Sequence, residues 1–178
     1  RTCAKIDADI IRAEGYAAEW IVSEVTMTSC ANKVALFQGM TVGSSSYFED
    51  DGKQKSYNLY TGDGDVPAHD ASALSLFSEK YVYENIVTSR DNATRITVTL
   101  TKKNGNGVSK TVTIYIGNEE VSVSEASTTT STSAVTDYSI YRNYHYQLHI
   151  KLKEAVGARA HSVSGDVDVD VTITRTAE

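Results

Sequence analysis

"TRITVTLTKKNGNGVSKTVTIYIG", residues 94–117, decides the fold class. Ile96, Val98 and Leu100 alternate with Thr97, Thr99 and Thr101, and Val112, Ile114 and Ile116 alternate with Thr111, Thr113 and Tyr115. A period of two sends alternate side chains to opposite faces of a strand, and β-branched residues suit a pleated, half-buried surface. Lys103-Asn104-Gly105-Asn106-Gly107 between them is a turn signal, so the stretch reads as two strands.

The same period recurs along the chain. Ala4, Ile6, Ala8 and Ile10 alternate with Lys5, Asp7 and Asp9, and Ile21, Val25 and Met27 share a face of the run from Trp20 to Cys30. Near the end, Val167, Val169, Val171 and Ile173 alternate with Asp168, Asp170 and Thr172. No comparable run repeats at 3.6 residues, so the fold is all-β. One-sided alternation predicts antiparallel sheets with one wet face, most economically a two-sheet sandwich.

Two stretches resist the strand reading and are expected to be long loops within a single domain spanning 1–178. One covers about 39–72 and carries "GSSS", "EDDG" and "GDGDVPAHD"; the other, 124–136, has nine Ser or Thr in thirteen residues. Long loops are commonly functional or variable surface.

Composition bounds the function. The 178 residues carry a formal net charge of −6, which argues against nucleic acid or an anionic membrane as partner. No apolar run approaches the ~18 residues of a membrane-spanning helix, so no transmembrane segment is expected.

"YSIYRNYHYQLHIKL", residues 138–152, is the richest stretch for chemistry. On a strand, Tyr144, Tyr146, Leu148, Ile150 and Leu152 share one face, and His145, Gln147, His149 and Lys151 the other. With ~3.3 Å of rise per residue, the two histidines lie roughly 13 Å apart and cannot share a zinc ion. The aromatic face reads as core, with Tyr83, Tyr146, Ile150 and Trp20 expected to be mostly buried.

No catalytic constellation emerges. "GSSS" lacks the glycine that closes a nucleophile elbow. "DGD" at 63–65 lacks the spaced oxygens of a calcium loop, and the carboxylates of "DVDVD" at 166–170 fall on one strand face. The Asn92-Ala93-Thr94 sequon acts only in a eukaryotic secretory setting. The chain therefore reads as a non-enzyme with no metal and no cofactor.

Several blocks resemble a known family. "RTCAKIDADI" at the start, "WIVSEVTMTSCANKVALF" at 20–37, "KYVYEN" at 80–85, "TRITVTL" at 94–100 and "YRNYHYQLHIKLKEAVG" at 141–157 follow the order of Bacteroidales fimbrillins, the subunits of type V pili. Tyr83, Glu84 and Asn85 occupy one motif of that family, and Arg142, Asn143 and Tyr146 another. The match spans most of the chain as short blocks and corresponds to a fimbrillin's C-terminal domain, so the chain is expected to be a fragment lacking an N-terminal domain.

The resemblance implies a sandwich of transthyretin-like, Greek-key topology. It also implies export through the outer membrane, a place in an extracellular pilus at the cell surface, and polymerisation by strand donation with copies of itself or related subunits. Host or bacterial surface ligands would be further partners. Val167, Val169, Val171 and Ile173 are the candidate donor segment, or else the ordinary last strand of their own sheet. The rival reading is a monomeric carbohydrate- or protein-binding adhesin module, with Tyr47, Phe48, Tyr57 and Tyr60 in the first long loop as candidate contacts.

Cys3 and Cys30 are a candidate disulfide. If the first two strands form a hairpin turning through Glu14 to Glu19, Ile6 faces Met27, Ala8 faces Val25, and Cys3 falls opposite Cys30. Closing that loop would stabilise by roughly 3–4 kcal/mol. The alternative is two free thiols packed as small apolar residues.

Overall fold

The computed structural model describes residues 2–34, 55–87, 89–104, 107–117, 120–123, 137–154 and 167–178. The strands are β1 (Cys3–Arg12), β2 (Trp20–Cys30), β3 (Lys55–Asp65), β4 (Leu74–Tyr83), β5 (Arg95–Lys102), β6 (Ser109–Tyr115), β7 (Glu120–Val123), β8 (Tyr144–Glu154) and β9 (Val167–Ala177). A short 3-10 turn, Arg90–Asn92, precedes β5. One sheet runs β4-β1-β8-β9 and the other β3-β2-β5-β6-β7, which makes an all-β two-sheet sandwich. β4 returns beside β1 after two strands spent in the other sheet, a Greek-key type of return.

The 94–117 stretch forms the expected antiparallel pair, with Ile96 opposite Ile114 and Val98 opposite Val112. Asn104 and Gly107, at φ 63° and 76°, supply the left-handed backbone of its turn. Every other pairing is antiparallel except β1 with β8, which run parallel from Lys5 opposite His145 to Arg12 opposite Leu152.

The core is the sum of the alternating faces. Ile6, Ile10, Leu148, Ile150 and Leu152 from one sheet meet Val22, Val25, Met27, Ile96, Val98, Leu100, Val112 and Ile114 from the other, all fully buried. Trp20 is 1% exposed and its indole N–H donates to the Tyr16 hydroxyl at 2.8 Å, so its polar end is satisfied. Burial of this kind contributes about 25 cal/mol per Å² of apolar surface removed from water.

The β1–β2 hairpin is not formed. β1 pairs with β4 and β8, and β2 with β3 and β5, so the two strands face each other across the core. Residues 13–19 cross between the sheets instead; Ala13 N–H donates to the Leu152 carbonyl, while Lys103 N–H donates to that of Glu19. Cys3 lies opposite Tyr83 and Cys30 opposite Lys55, and both are free thiols. Apolar faces that match in register match equally well face to face, and the sandwich uses the second option.

Two further expectations are corrected. The first long loop contains β3, whose polar sequence hid it: Tyr57, Leu59 and Tyr60 pack on the core, with a register shift between Asn58 and Tyr60 that breaks the alternation. Tyr83 is 39% exposed, because in Tyr81-Val82-Tyr83 only one parity can face inward and Val82 takes the core opposite Ala4.

Candidate interaction surfaces

The Tyr-Glu-Asn and Arg-Asn motifs meet in space. Glu84 follows β4, and Arg142 precedes β8. Arg142 Nη2 donates to Glu84 Oε1 at 2.7 Å and Nε to Oε2 at 3.0 Å, with 4% and 8% of the side chains exposed. Two parallel bonds match a guanidinium to a carboxylate, and together they neutralise charges that would otherwise be buried alone.

Asn85 continues the crossover between sheets. Its backbone exchanges two 2.9 Å hydrogen bonds with Ile140, and its side-chain amide donates to the Asn92 carbonyl at 3.0 Å and to Thr94 Oγ1 at 2.9 Å. The sequon threonine is thus a buried bracing group. Asn143 takes φ 63°, donates its N–H to the Cys3 carbonyl and accepts from Glu178 N–H. Tyr146 is 2% exposed, and its hydroxyl accepts from Tyr141 N–H at 3.0 Å. Burial pushes its phenol up from the usual range. These motif residues brace the fold.

The histidines occupy the outer face of the first sheet, each against an aspartate of β1. His145 Nε2 lies 2.7 Å from Asp7 Oδ2, and His149 Nδ1 lies 2.8 Å from Asp9 Oδ2. Among the described residues no three His, Cys, Asp or Glu side chains gather as a metal site.

The candidate donor segment is β9. All eleven of its residues pair with β8, from Tyr144 opposite Ala177 to Glu154 opposite Val167. Val167 and Val169 are buried, and Val171 and Ile173 pack partly against the core. β9 ends its sheet, and among the described residues no strand pairs with its outer edge. Lys153 bonds Asp170 on the outer face beside it.

The candidate contact residues divide. Tyr57 and Tyr60 stand on β3, not on a loop. Lys80 Nζ sits 3.5 Å from the centroid of the Tyr57 ring, which closes the sandwich edge between β4 and β3. The Tyr60 ring covers Gly62 and Gly64: a Cβ on Gly64 would lie 2.3 Å from the tyrosine hydroxyl. Both are engaged in packing. Tyr47 and Phe48 lie outside the described residues, as does the 124–136 segment.

The sequence reading missed one surface. On the outer face of the second sheet a cleft of about 480 Å³ is lined, among the described residues, by Arg90, Asp91, Arg95, Thr113 and Tyr115. Arg95 lies directly opposite Tyr115 across the β5–β6 pair, and the Arg90 guanidinium sits 4.8 Å from the Tyr115 ring centroid. The ring packs in a T-shaped pair with Tyr138, at 6.0 Å between centroids. In the sequence Tyr115 is an ordinary outward residue of its alternating run, Arg95 precedes the run that starts at Ile96, and the turn that adds Arg90 and Asp91 leaves no periodic trace.

Compared with known proteins, the chain matches no family model and no curated protein. Among solved structures it is similar to a candidate cell adhesion protein of Parabacteroides distasonis ATCC 8503, at 20% identity and a TM-score of 0.53. The alignment covers 98% of this chain and 52% of that one, so the chain spans about half its length. A second candidate cell adhesion protein of the same organism aligns at 17% identity and a TM-score of 0.36, over 98% of this chain and 59% of that one. The first likeness supports the fold. No helix among the described residues is long and apolar enough to cross a membrane.

Proposed function

We propose that this chain is a structural, non-enzymatic subunit of a cell-surface fimbria, polymerising by β-strand donation and supporting adhesion. The observation that carries the reading is the outer edge of β9, eleven residues long with no strand beyond it among the described residues. A strand paired on one side only can leave its sheet by breaking a single ladder, and its unpaired N–H and C=O groups are open to pairing with another strand. The apolar parity of Val167, Val169, Val171 and Ile173 sets register, since a one-residue slip would turn all four outward. The blocks that resemble fimbrillins and the adhesion-named protein of similar fold support the same reading. It implies export through the outer membrane, a place at the cell surface, and copies of itself or related subunits as partners.

Because β9 pairs with β8 in its own sheet, donation takes the form of exchange: β9 leaves β8 and enters a neighbour's sheet. Gln147 and Thr174 lie directly opposite on the two strands. A Gln147→Cys, Thr174→Cys pair, in a Cys3→Ser, Cys30→Ala background, would tether them when oxidised. The reading predicts fibres from the reduced protein and none from the oxidised protein. Fibres from the fully oxidised protein would contradict donation by β9.

A second reading, a monomeric carbohydrate- or protein-binding adhesin module, is favoured by the Arg90–Arg95–Tyr115 cleft.

A further inference from the structure

Arg95 brings into the cleft a guanidinium without a carboxylate partner among the described residues. Lys5, Lys103, Arg142 and Lys153 each hold a carboxylate within 4 Å, respectively on Glu79, Asp65, Glu84 and Asp168. The Arg95 side chain instead donates from Nη1 to the Asp91 carbonyl at 3.5 Å. The chain's net charge of −6 makes an unneutralised guanidinium in a cleft more conspicuous.

The surroundings select among ligands. Arg90 and Arg95 bring two planar, permanently charged forks suited to two-point contact with a carboxylate. Tyr115, whose ring carries the Arg90 guanidinium, adds an aromatic wall to the cleft, and the Thr113 hydroxyl both donates and accepts. The exposed Asp91 carboxylate, also in the lining, can accept hydrogen bonds from sugar hydroxyls. About 480 Å³ falls within the ~300–1,000 Å³ of ligand pockets. Outward threonines at 97, 99 and 111 extend the polar, hydroxyl-lined face beyond the cleft.

We infer that this cleft binds saccharides bearing a carboxylate, with Arg95 and Arg90 on the acid group and Asp91 and Thr113 on ring hydroxyls. The inference deepens the adhesive part of the proposed function and rests on it.

The test is a printed array of uronate-terminated, sialylated and neutral oligosaccharides probed with the full chain, followed by titration of trigalacturonate and sialyllactose in solution. Selective retention of acidic sugars is expected, weakened about ten-fold or more by Arg95→Ala and again by Arg90→Ala, since a lost charge-assisted bond has that magnitude. Arg90 is exposed in a turn, so its replacement leaves the fold as a control, checked by an unchanged melting temperature. Equal retention of neutral sugars, no retention of acidic ones, or undiminished binding by both folded variants would overturn the site. Fibre formation is scored in parallel. Fibres without acidic-sugar binding would overturn this inference alone, whereas their absence is charged to the fimbrial reading.

Discussion

Arg142 and Glu84, far apart in sequence, are locked together inside the protein by two side-chain hydrogen bonds of 2.7 and 3.0 Å. The contact joins the exit of β4 to the entrance of β8, the two strands that flank β1. Breaking it from either side strands a buried charge. Arg142→Ala or Glu84→Ala should cost ~3–5 kcal/mol, whereas an apolar pair such as Glu84→Leu with Arg142→Met should recover much of that loss. Urea unfolding of the two singles and the double measures the coupling. Additive losses would show that the pair is not acting as a unit.

Tyr146 and Tyr83 should behave oppositely. Tyr146 is 2% exposed, and truncation to Ala should cost ~3–5 kcal/mol. Tyr83 stands outward on the edge strand β4, and Tyr83→Ala should stay within about 0.5 kcal/mol. Thermal melts of the two variants check the contrast; equal shifts would put the wrong face of β4 inward.

Among the described glycines, Gly117 makes the tightest approach to other backbone. A Cβ there would lie 2.5 Å from the Tyr138 carbonyl carbon and 2.6 Å from the Ser139 oxygen. Backbone cannot swing aside as a side chain can, so Gly117→Ala should destabilise by at least ~1–3 kcal/mol, the usual cost of overpacking. A melting temperature equal to that of the parent would contradict the close approach.

The two thiols give a chemical test of the sheet partition. Alkylation of the denatured, unreduced protein should add two labels per chain, and in the native state Cys3 should label ahead of Cys30, which is 1% exposed. A chain that takes no label until reduced would restore the hairpin and its disulfide.

Stability should fall in alkali. Burial pushes the Cys30 thiol up from 9.0 to about 12. Burial likewise raises Tyr146, and a hydrogen bond donated to Asp137 raises Tyr141. Each group holds its proton longer when folded, so above pH ~9 the unfolded chain binds fewer protons and the stability of the fold declines with pH. The contribution of Cys30 is complete below about pH 9 and lost by about pH 12. The urea midpoint should therefore drop between pH 9 and 11, less steeply in Cys30→Ala. A flat midpoint would contradict the burial of these groups.

In β2 a register shift between Val22 and Glu24 turns Val22 inward where Ile21 was expected. Elsewhere much of the fold was legible, because the apolar parity of β1, β5, β6, β8 and β9 is carried by β-branched and aliphatic residues. Which strands share a sheet was not, since Ile6, Ala8, Val25 and Met27 satisfy a hairpin and a face-to-face packing alike. β3 escaped notice because its inward positions, Leu59 apart, are tyrosines and glycines, with Tyr60 folded over Gly62 and Gly64. The Glu84–Arg142 lock needs a pairing that no local pattern encodes. Arg90, Arg95 and Tyr115 became a cleft only when the 3-10 turn was laid against the β5–β6 pair.

The central claim is that this chain is built into a surface fibre. Negative-stain electron microscopy of native surface material, labelled with an antibody raised against the folded chain, tests it most directly. The account predicts label distributed along fibres that disappear when residues 167–178 are deleted. Label confined to isolated, non-fibrous particles, or fibres that persist without β9, would contradict it.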